Sequence, residues 1–233
     1  MSGDWALGGQ PRHIAVEGPI GVGKTTLSVA LARQLGGETV LEAPAENPFL
    51  ERFYAQPRAW ALPAQLSFLL QRARQARELA QPQLFAPTVV SDFMVEKDAL
   101  FAELTLDVDE FELYRQVYAE VMGGLPVPDL VIYLHAPLAV LLSRIETRAI
   151  TYEQAIEADY LARLAGLYGR FFATYDAAPL LVVDTTALDF ANADAALERL
   201  LQAARQIDRG RRFLDAETLR LTLDDDEMPF GWR

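Results

Sequence analysis

A glycine-rich segment near the N-terminus contains the residue types that bind phosphate. Residues 18–25 read Gly-Pro-Ile-Gly-Val-Gly-Lys-Thr, which matches the pattern G-x-x-x-x-G-K-[ST]. Glycines let backbone N–H groups curl around phosphate oxygens, the lysine reaches the β- and γ-phosphates, and the threonine hydroxyl can ligate Mg²⁺. A predicted strand precedes the segment, and a predicted helix with a partially positive N-terminus follows it. We therefore predict that the phosphates of a nucleoside triphosphate bind to Gly18, Gly21, Val22, Gly23, Lys24, Thr25 and Thr26.

Two carboxylates stand where a phosphate-transfer site would need them. Glu42 and Asp92 each end a predicted strand, at the edge of an open α/β sheet where ligands bind. A carboxylate can orient an attacking hydroxyl and take its proton, which favours Glu42 as a general base. Mg²⁺ is typically held by one or two carboxylates and substrate phosphates, which favours Asp92 and Thr25 as its ligands. Placement alone leaves a solvated strand-end acid open, and we interpret His135 and Asp184 as residues that only end a strand.

Short apolar runs alternate with helical stretches along the chain. The runs lack in/out alternation, which is typical of strands buried on both faces of a parallel sheet. We predict five strands, namely Ile14–Glu17, Thr39–Glu42, Val89–Asp92, Leu130–His135 and Leu180–Asp184. The predicted helices are Lys24–Leu35, Leu62–Ala80, Glu110–Met122, Pro137–Arg148, Glu153–Tyr175 and Ala193–Ile207. This order predicts an α/β fold with a doubly wound five-stranded parallel sheet, helices on both of its faces and a short lid.

Composition and charge narrow the possible partners. The 233 residues fit one domain, and a net charge of −12 argues against a nucleic acid polymer. Nucleotides stay possible, because local cations and backbone amides hold them. The chain has no cysteine and no run of the ~20 apolar residues that a membrane span needs, so we expect a cytoplasmic protein that does not enter a membrane. It has two lysines, Lys24 and Lys97, beside nineteen arginines, and one of the two stands in the glycine segment.

We expect three parts along the chain. Residues 1–11 are expected to form a flexible N-terminal lead, and residues 12–207 the domain that contains the site. Residues 208–233 are expected to form a C-terminal extension with a solvated acidic tail at 224–227.

The glycine segment alone does not identify the reaction, since GTPases, motor ATPases and small-molecule kinases share it. The chain lacks an Asn-Lys-x-Asp segment, by which guanine is recognised. It also lacks an apolar strand that ends in two acidic residues, which many motor ATPases have. Both absences favour a metabolic kinase.

From Ile14 to about Asp184 the chain resembles the deoxynucleoside kinases, especially the bacterial deoxyguanosine/deoxyadenosine kinase branch. Six spaced segments carry the resemblance: residues 17–21; Glu42 with 46–50; Phe53-Tyr54; Gln65 with 68–72; 91–93 with 101–102; and Arg144-Ile145 through Arg148 to 152–154. The resemblance implies a P-loop kinase fold and a homodimer. It also implies Mg²⁺-dependent transfer of the γ-phosphate of ATP to the 5′-hydroxyl of a deoxynucleoside, with Glu42 as the general base.

The resemblance implies further roles at the acceptor site. Tyr54 and Glu153 match the family's pair that hydrogen-bonds the 3′-hydroxyl of the deoxyribose. Gln65 matches the glutamine that hydrogen-bonds the edge of the base. Arg72 and Asp98 match a pair that selects cytosine or purines over thymine in some members. We therefore expect a purine deoxynucleoside or deoxycytidine to be preferred over thymidine.

Two arginines and one departure from the family pattern concern the lid, and a second departure concerns the acceptor side. Arg144 and Arg148 are four residues apart on one helix face, and guanidinium groups suit the charge that develops during phosphoryl transfer. We predict that both close over the transferred group. Phe93 stands where the family commonly has an arginine after the strand-end acid, and Ile150 stands where it commonly has a further lid arginine.

Two alternatives stay open. A nucleoside-monophosphate kinase, such as a thymidylate kinase, would need a cationic clamp for the acceptor phosphate, and Phe93 stands where its arginine would be. A nucleotide-binding regulatory module without catalysis is compatible with both Phe93 and Ile150. The preference among adenine, guanine and cytosine depends on a few hydrogen bonds and on the shape of the pocket, so the sequence leaves it open.

Overall fold

A twisted sheet, parallel over most of its width, forms the centre of the fold. The computed structural model describes residues 5–79, 88–150, 154, 156–188 and 194–215, and the backbone of 221–223. Over this part the strands are β1 (His13–Glu17), β2 (Glu38–Val40), β3 (Val89–Ser91), β4 (Leu130–His135), β5 (Leu180–Asp184), β6 (Arg211–Leu214) and β7 (Leu221–Leu223). Their order is β2-β3-β1-β4-β5-β6-β7, and β7 alone runs antiparallel to its neighbour.

The five predicted strands are all present, but the predicted strand count was too low. The strand β6 extends the parallel sheet beside β5, and β7 closes that edge. The segment of β6 begins with two arginines and therefore lacks the continuous apolar run by which the inner strands are recognised. The strand β2 ends at Val40, so Glu42 lies just beyond it, at the edge to which the glycine segment also belongs.

Helices of the described part cover both faces of the sheet, as predicted. They are α1 (Lys24–Leu35), α2 (Leu50–Ala55), α3 (Pro57–Leu79), α4 (Lys97–Thr105), α5 (Val108–Met122), α6 (Leu138–Arg148), α7 (Ala158–Ala173) and α8 (Asp194–Arg205). The sequence prediction missed α2 and α4, which are short and carry little apolar periodicity. None of the helices in the described ranges combines the length and the apolar character that crossing a membrane requires.

Alternate residues of each inner strand pack on opposite faces of the sheet. On one face, Ile14 and Ile132 join a core cluster with apolar residues of α1, α6 and α8. On the other face, Ala15 and Val131 join a second cluster that is rich in aromatic residues of α7. In that cluster the rings of Tyr133 and Phe172 stack with centroids 4.2 Å apart. Burying one such large side chain stabilises the fold by roughly 1.5–3 kcal/mol, so the two layers hold the strand ends rigidly in place.

The expected flexible lead is packed where it is described. Trp5 is 8% exposed and belongs to the core cluster that contains α1 and α8. The backbone N–H of Ala6 donates to the carbonyl of Arg205 over 2.8 Å. The expectation of a flexible lead was wrong for this stretch, because Trp5 buries its indole and Leu7 packs against the same cluster.

Candidate active site

The glycine segment forms a tight loop between β1 and α1. Gly18 has φ +151°, and a Cβ atom there would lie 2.3 Å from the carbonyl oxygen of Leu134. Gly21 has φ +84°, and its Cβ would lie 2.8 Å from the carbonyl oxygen of Leu141. Only glycine fits at these positions without displacing backbone. The loop therefore lies directly against β4 and α6, and α1 begins directly after Gly23. The unpaired N–H groups at a helix N-terminus are a ready site for an anion.

A cavity of about 490 Å³ joins the phosphate loop to the acceptor residues. This volume is within the range of sites for small molecules. Most of the predicted site residues line it, namely Gly21, Val22, Gly23, Lys24, Thr25, Thr26, Glu42, Tyr54, Gln65, Arg72, Asp92, Arg144 and Arg148. Gly18 and Asp98 lie behind this lining, and Glu153 falls outside the described residues.

The side chain of Lys24 lies inside the glycine loop between β1 and α1. Its ammonium group donates to the carbonyl of Gly18 over 2.7 Å and to that of Pro19 over 3.1 Å. Burial lowers the pKa of Lys24, the positive charge of Lys97 lowers it further, and the nearby carboxylates oppose both effects. The lysine thus lies in an environment where an added phosphate charge would stabilise its protonated form.

Asp92 connects the phosphate loop to the end of β2. The Thr25 hydroxyl donates to Oδ2 of Asp92 over 2.5 Å, and the backbone N–H of Glu42 donates to Oδ1 over 2.7 Å. Asp92 is 4% exposed, so its carboxylate is fixed by these two contacts. The Thr25 hydroxyl and the Asp92 carboxylate are adjacent oxygen donors of the hard type that Mg²⁺ prefers, and they fit the predicted metal position beside the nucleotide phosphates.

Glu42 lies between two buried cations. Arg72 forms an ion pair with Oε1 of Glu42, and the Lys97 ammonium donates to Oε2 over 2.8 Å. Burial by itself would raise the pKa of Glu42, but Arg72 and then Lys97 outweigh it and lower the pKa to about 2. The carboxylate is therefore ionised at neutral pH and accepts hydrogen bonds from donors on two sides.

Arg72 and Gln65 form one side of the cavity, on the buried face of α3. Arg72 forms the predicted pair with Asp98, and it is a buried pair rather than a surface pair, since their side chains are 5% and 0% exposed. The same guanidinium lies 4.7 Å from the centre of the Phe68 ring. Gln65 is 3% exposed and donates through Nε2 to the Thr105 hydroxyl, while its Oε1 has no hydrogen-bond partner among the described residues. A buried acceptor without a partner is costly, which marks this position as one where a ligand donor would be stabilising.

The remaining predicted residues differ in how firmly they are held. Tyr54 lines the cavity at the end of α2, with its ring 5.4 Å from that of Phe53. Arg144 donates to the carbonyls of Val22, Thr185 and Leu188 and to the Thr185 hydroxyl, at 2.6–3.3 Å. These contacts tie α6 to the phosphate loop. Arg148 lies exposed in the last turn of α6 and also lines the cavity.

Sequence reasoning missed Lys97, the second cation that pairs with Glu42. Lys97 begins α4, is 3% exposed and lines the cavity. Phe101 and Tyr160 also line it and were not predicted. One signal could have found Lys97: a chain that uses arginine almost everywhere retains a lysine at only two positions, and the other one is in the phosphate loop.

Phe93 does not take part in the site. It is 2% exposed and lies outside the lining of the cavity, directly after Asp92. His135 and Asp184 also lie outside the lining, and Asp184 accepts hydrogen bonds from the backbone and hydroxyl of Thr186. This agrees with their interpretation as residues that end a strand.

Known proteins resemble this chain in both sequence and fold. A family model described as deoxynucleoside kinase matches residues 14–207. Deoxyguanosine kinase of Bacillus subtilis is 36% identical over 156 residues, covering 66% of this chain and 75% of the relative. Deoxyadenosine kinase of Lactobacillus acidophilus is 31% identical over 191 residues, covering 76% of this chain and 87% of the relative. A solved structure of deoxyadenosine kinase from M. mycoides with bound dATP is 26% identical, with a TM-score of 0.72 over 82% of this chain and 99% of that one. The chain belongs to the deoxynucleoside kinase family.

Proposed function

We propose that the protein transfers the γ-phosphate of ATP to the 5′-hydroxyl of a deoxynucleoside, with a purine deoxynucleoside or deoxycytidine preferred over thymidine. One observation carries the proposal: the phosphate loop and the ionised Glu42 carboxylate line the same cavity, linked through Asp92. A carboxylate beside a bound triphosphate supports attack by a hydroxyl. The relatives named above act on deoxyguanosine and deoxyadenosine, which supports the same acceptor class for this chain.

The donor end of the cavity binds and orients the triphosphate. Backbone N–H groups of the loop and of the first turn of α1 contact the phosphate oxygens, and Lys24 neutralises charge on the β- and γ-phosphates. Thr25 and Asp92 are the residues that would hold Mg²⁺, which when bound neutralises charge on the phosphates. Arg144 supports the loop from α6, and Arg148 reaches the cavity from the end of that helix.

The acceptor end orients the 5′-hydroxyl. Glu42 accepts the hydrogen bond of this hydroxyl and directs its oxygen toward the γ-phosphorus. The bond between O5′ and phosphorus forms while the bond from phosphorus to the β,γ-bridging oxygen breaks, and the hydroxyl proton passes to Glu42. The products are ADP and the deoxynucleoside 5′-monophosphate. Because the transition state of phosphoryl transfer is loose, a base with a low pKa can act mainly by orienting the hydroxyl, with the proton leaving late.

Specificity for the base and the sugar comes from α3 and α2. Oε1 of Gln65 suits an exocyclic amino group, which adenine and cytosine have and thymine lacks. Arg72 can only donate hydrogen bonds, so it suits a ring acceptor, and Asp98 holds it in orientation. Tyr54 together with Glu153 is proposed to hydrogen-bond the 3′-hydroxyl. We further propose that the protein acts as a homodimer in the cytoplasm.

The test is ADP release by the purified protein with ATP and Mg²⁺ across four deoxynucleosides, four ribonucleosides and dTMP. The expected result is turnover with deoxyadenosine, deoxyguanosine or deoxycytidine and little turnover with ribonucleosides, thymidine or dTMP. Turnover restricted to dTMP would support a monophosphate kinase instead. ATP binding without turnover on any acceptor would support a regulatory module.

A further inference from the structure

Lys97 is a buried cation in the cavity that none of the roles above explains. Its side chain is 3% exposed, and its ammonium group lies 2.8 Å from Oε2 of Glu42. The other oxygen of Glu42 is already paired with Arg72, which is itself paired with Asp98. Burying a second cation beside one shared carboxylate is costly, so the position of Lys97 calls for a use beyond holding the fold together.

The hydrogen-bonding capacity of Lys97 also indicates a use beyond its pairing with Glu42. An ammonium group has three donors, and Glu42 is the one hydrogen-bond partner of Lys97 among the described residues. Lys97 lines the same cavity as the phosphate loop, and its positive charge is close enough to Lys24 to lower the pKa of that lysine. Two ammonium groups therefore line the cavity in which phosphate charge must be held.

The neighbouring position supplies no cation. Phe93 follows the strand-end acid directly, is 2% exposed and lies outside the cavity lining. Lys97 comes four residues later, at the first position of α4, where the helix begins beside the cavity. Its four-carbon stem rotates freely enough for the ammonium group to change partners, which a rigidly forked guanidinium does less readily.

We infer that Lys97 is a catalytic cation of the phosphoryl-transfer step, which donates to Glu42 before the reaction and to the transferred phosphoryl group during it. The inference rests on the proposed function. As O5′ bonds to phosphorus and the β,γ-bridging oxygen leaves with ADP, the hydroxyl proton neutralises Glu42. This proton arrives late in the step, so Lys97 loses its anionic partner as the bond to O5′ is completed, while the phosphoryl oxygens still carry charge that needs a donor. Charge on Glu42 and charge on the phosphoryl group are thus stabilised in turn by the same ammonium group.

The experiment compares Lys97→Met and Lys97→Arg with the wild type in steady-state turnover and in separate equilibrium binding of ATP and deoxynucleoside. We expect Lys97→Met to lower kcat by about 10²–10³-fold, the range for removing one transition-state donor, with both dissociation constants changed by less than about threefold. Lys97→Arg should recover about tenfold of the loss and not all of it, because the guanidinium keeps the charge but changes partners less readily. The control is Arg115→Met, which removes a cation that is 66% exposed on α5 and should leave kcat unchanged.

A second pair of variants separates direct contact with phosphate from an effect through Glu42. Lys97→Met is introduced into Glu42→Gln, where no carboxylate is left for Lys97 to position. We expect a further loss of at least about tenfold in kcat, because the phosphoryl contact is still removed. No further loss would overturn the inference, as would a folded Lys97→Met protein with the kcat of the wild type. Absence of deoxynucleoside turnover in the wild type itself would instead overturn the proposed function.

Discussion

The two ends of the cavity are built in different ways. The centre of the donor end is one continuous segment, the glycine loop and the start of α1, which we propose to bind phosphate, and the Lys24 ammonium group contacts its own loop. The acceptor end brings together side chains that are far apart in the chain, since Glu42 meets Arg72 across 30 positions and Lys97 across 55. A site made by backbone geometry can be recognised from a motif, whereas a site made by buried charge pairs depends on the whole fold.

Loss of the acceptor carboxylate should have the largest effect and should leave the donor end intact. Glu42→Gln keeps an acceptor oxygen but cannot take the proton, so we expect kcat to fall by roughly 10³-fold. ATP affinity should change by less than about threefold, because the loop does not use Glu42. Turnover and ATP binding are measured on the same preparation, with Glu38→Gln on the exposed part of β2 as the control. A loss of ATP affinity that matches the loss of kcat would show that the two ends are not separable.

A substitution in the glycine loop should have the converse effect, a loss of ATP binding with the acceptor end left intact. A Cβ atom at Gly18 would meet the Leu134 carbonyl at 2.3 Å, so Gly18→Ala must displace backbone. We expect ATP affinity to fall by at least about tenfold and stability to fall by on the order of 3 kcal/mol, while the folded fraction still binds deoxynucleoside. Calorimetric binding and thermal unfolding test this, with Gly9→Ala as the control because its Cβ would meet no atom within 4 Å. Wild-type ATP affinity in Gly18→Ala would contradict the close-packed loop.

A change at the base-binding side should alter selection with a smaller effect on rate. Gln65→Leu removes the buried acceptor, so we expect kcat/KM for amino-bearing bases to fall by roughly 10–100-fold, in line with about 1–3 kcal/mol for a lost hydrogen bond. The kcat/KM for thymidine should change little, so the preference for amino-bearing bases over thymine should become smaller. The same substitution at the exposed Gln34 serves as the control. Equal losses on all four deoxynucleosides would mean that Gln65 supports the fold and not the base.

The smallest effect should come from His13, at the opposite end of β1 from the site. Burial lowers the pKa of His13 to about 4, and Asp129 only partly opposes this. Because the unfolded chain binds this proton at higher pH than the folded one, stability should fall as pH decreases from 6.5 toward 4. We expect roughly 1–2 kcal/mol less stability at pH 5 than at pH 7 from this residue. In denaturant unfolding, the free energy of unfolding of His13→Asn should depend less steeply on pH over that range than that of the wild type. An equally steep dependence would contradict the argument that burial lowers the pKa of His13.

Most of the fold was predictable because the inner strands are continuous apolar runs between helical segments. The β6 strand was not, because two arginines at the sheet margin break the run. Helix α4 was not, because its first two residues are the charged Lys97 and Asp98, and their burial is compensated by Glu42 and Arg72 from other elements. Local sequence patterns indicate backbone preference and amphipathicity. They do not show which charged residues pair when the partners are 26 to 55 positions apart in the chain.

Of the candidate site, the loop residues followed from the motif, Glu42 and Asp92 from their strand-end positions together with the family resemblance, and the other acceptor residues from the resemblance. The structure places Glu42, Tyr54, Gln65 and Arg72 at one cavity, with Asp98 behind Arg72. Their roles toward the substrate stay predictions, as does that of Glu153, which lies outside the described residues. Lys97 was missed because it matches no motif and only the scarcity of lysine marks it, whereas its place in the cavity lining and its 2.8 Å contact with Glu42 show that it belongs to the site.

The most direct test of the central claim follows the label of γ-³²P-ATP into a deoxynucleoside, with the wild type and Glu42→Gln in parallel. The shared cavity predicts that the wild type places the label on the 5′-oxygen of deoxyadenosine, deoxyguanosine or deoxycytidine, and that Glu42→Gln nearly abolishes this transfer. Label that appears on the 3′-oxygen, or as inorganic phosphate whether or not a nucleoside is added, would contradict the claim that Glu42 and the phosphate loop form one transfer site.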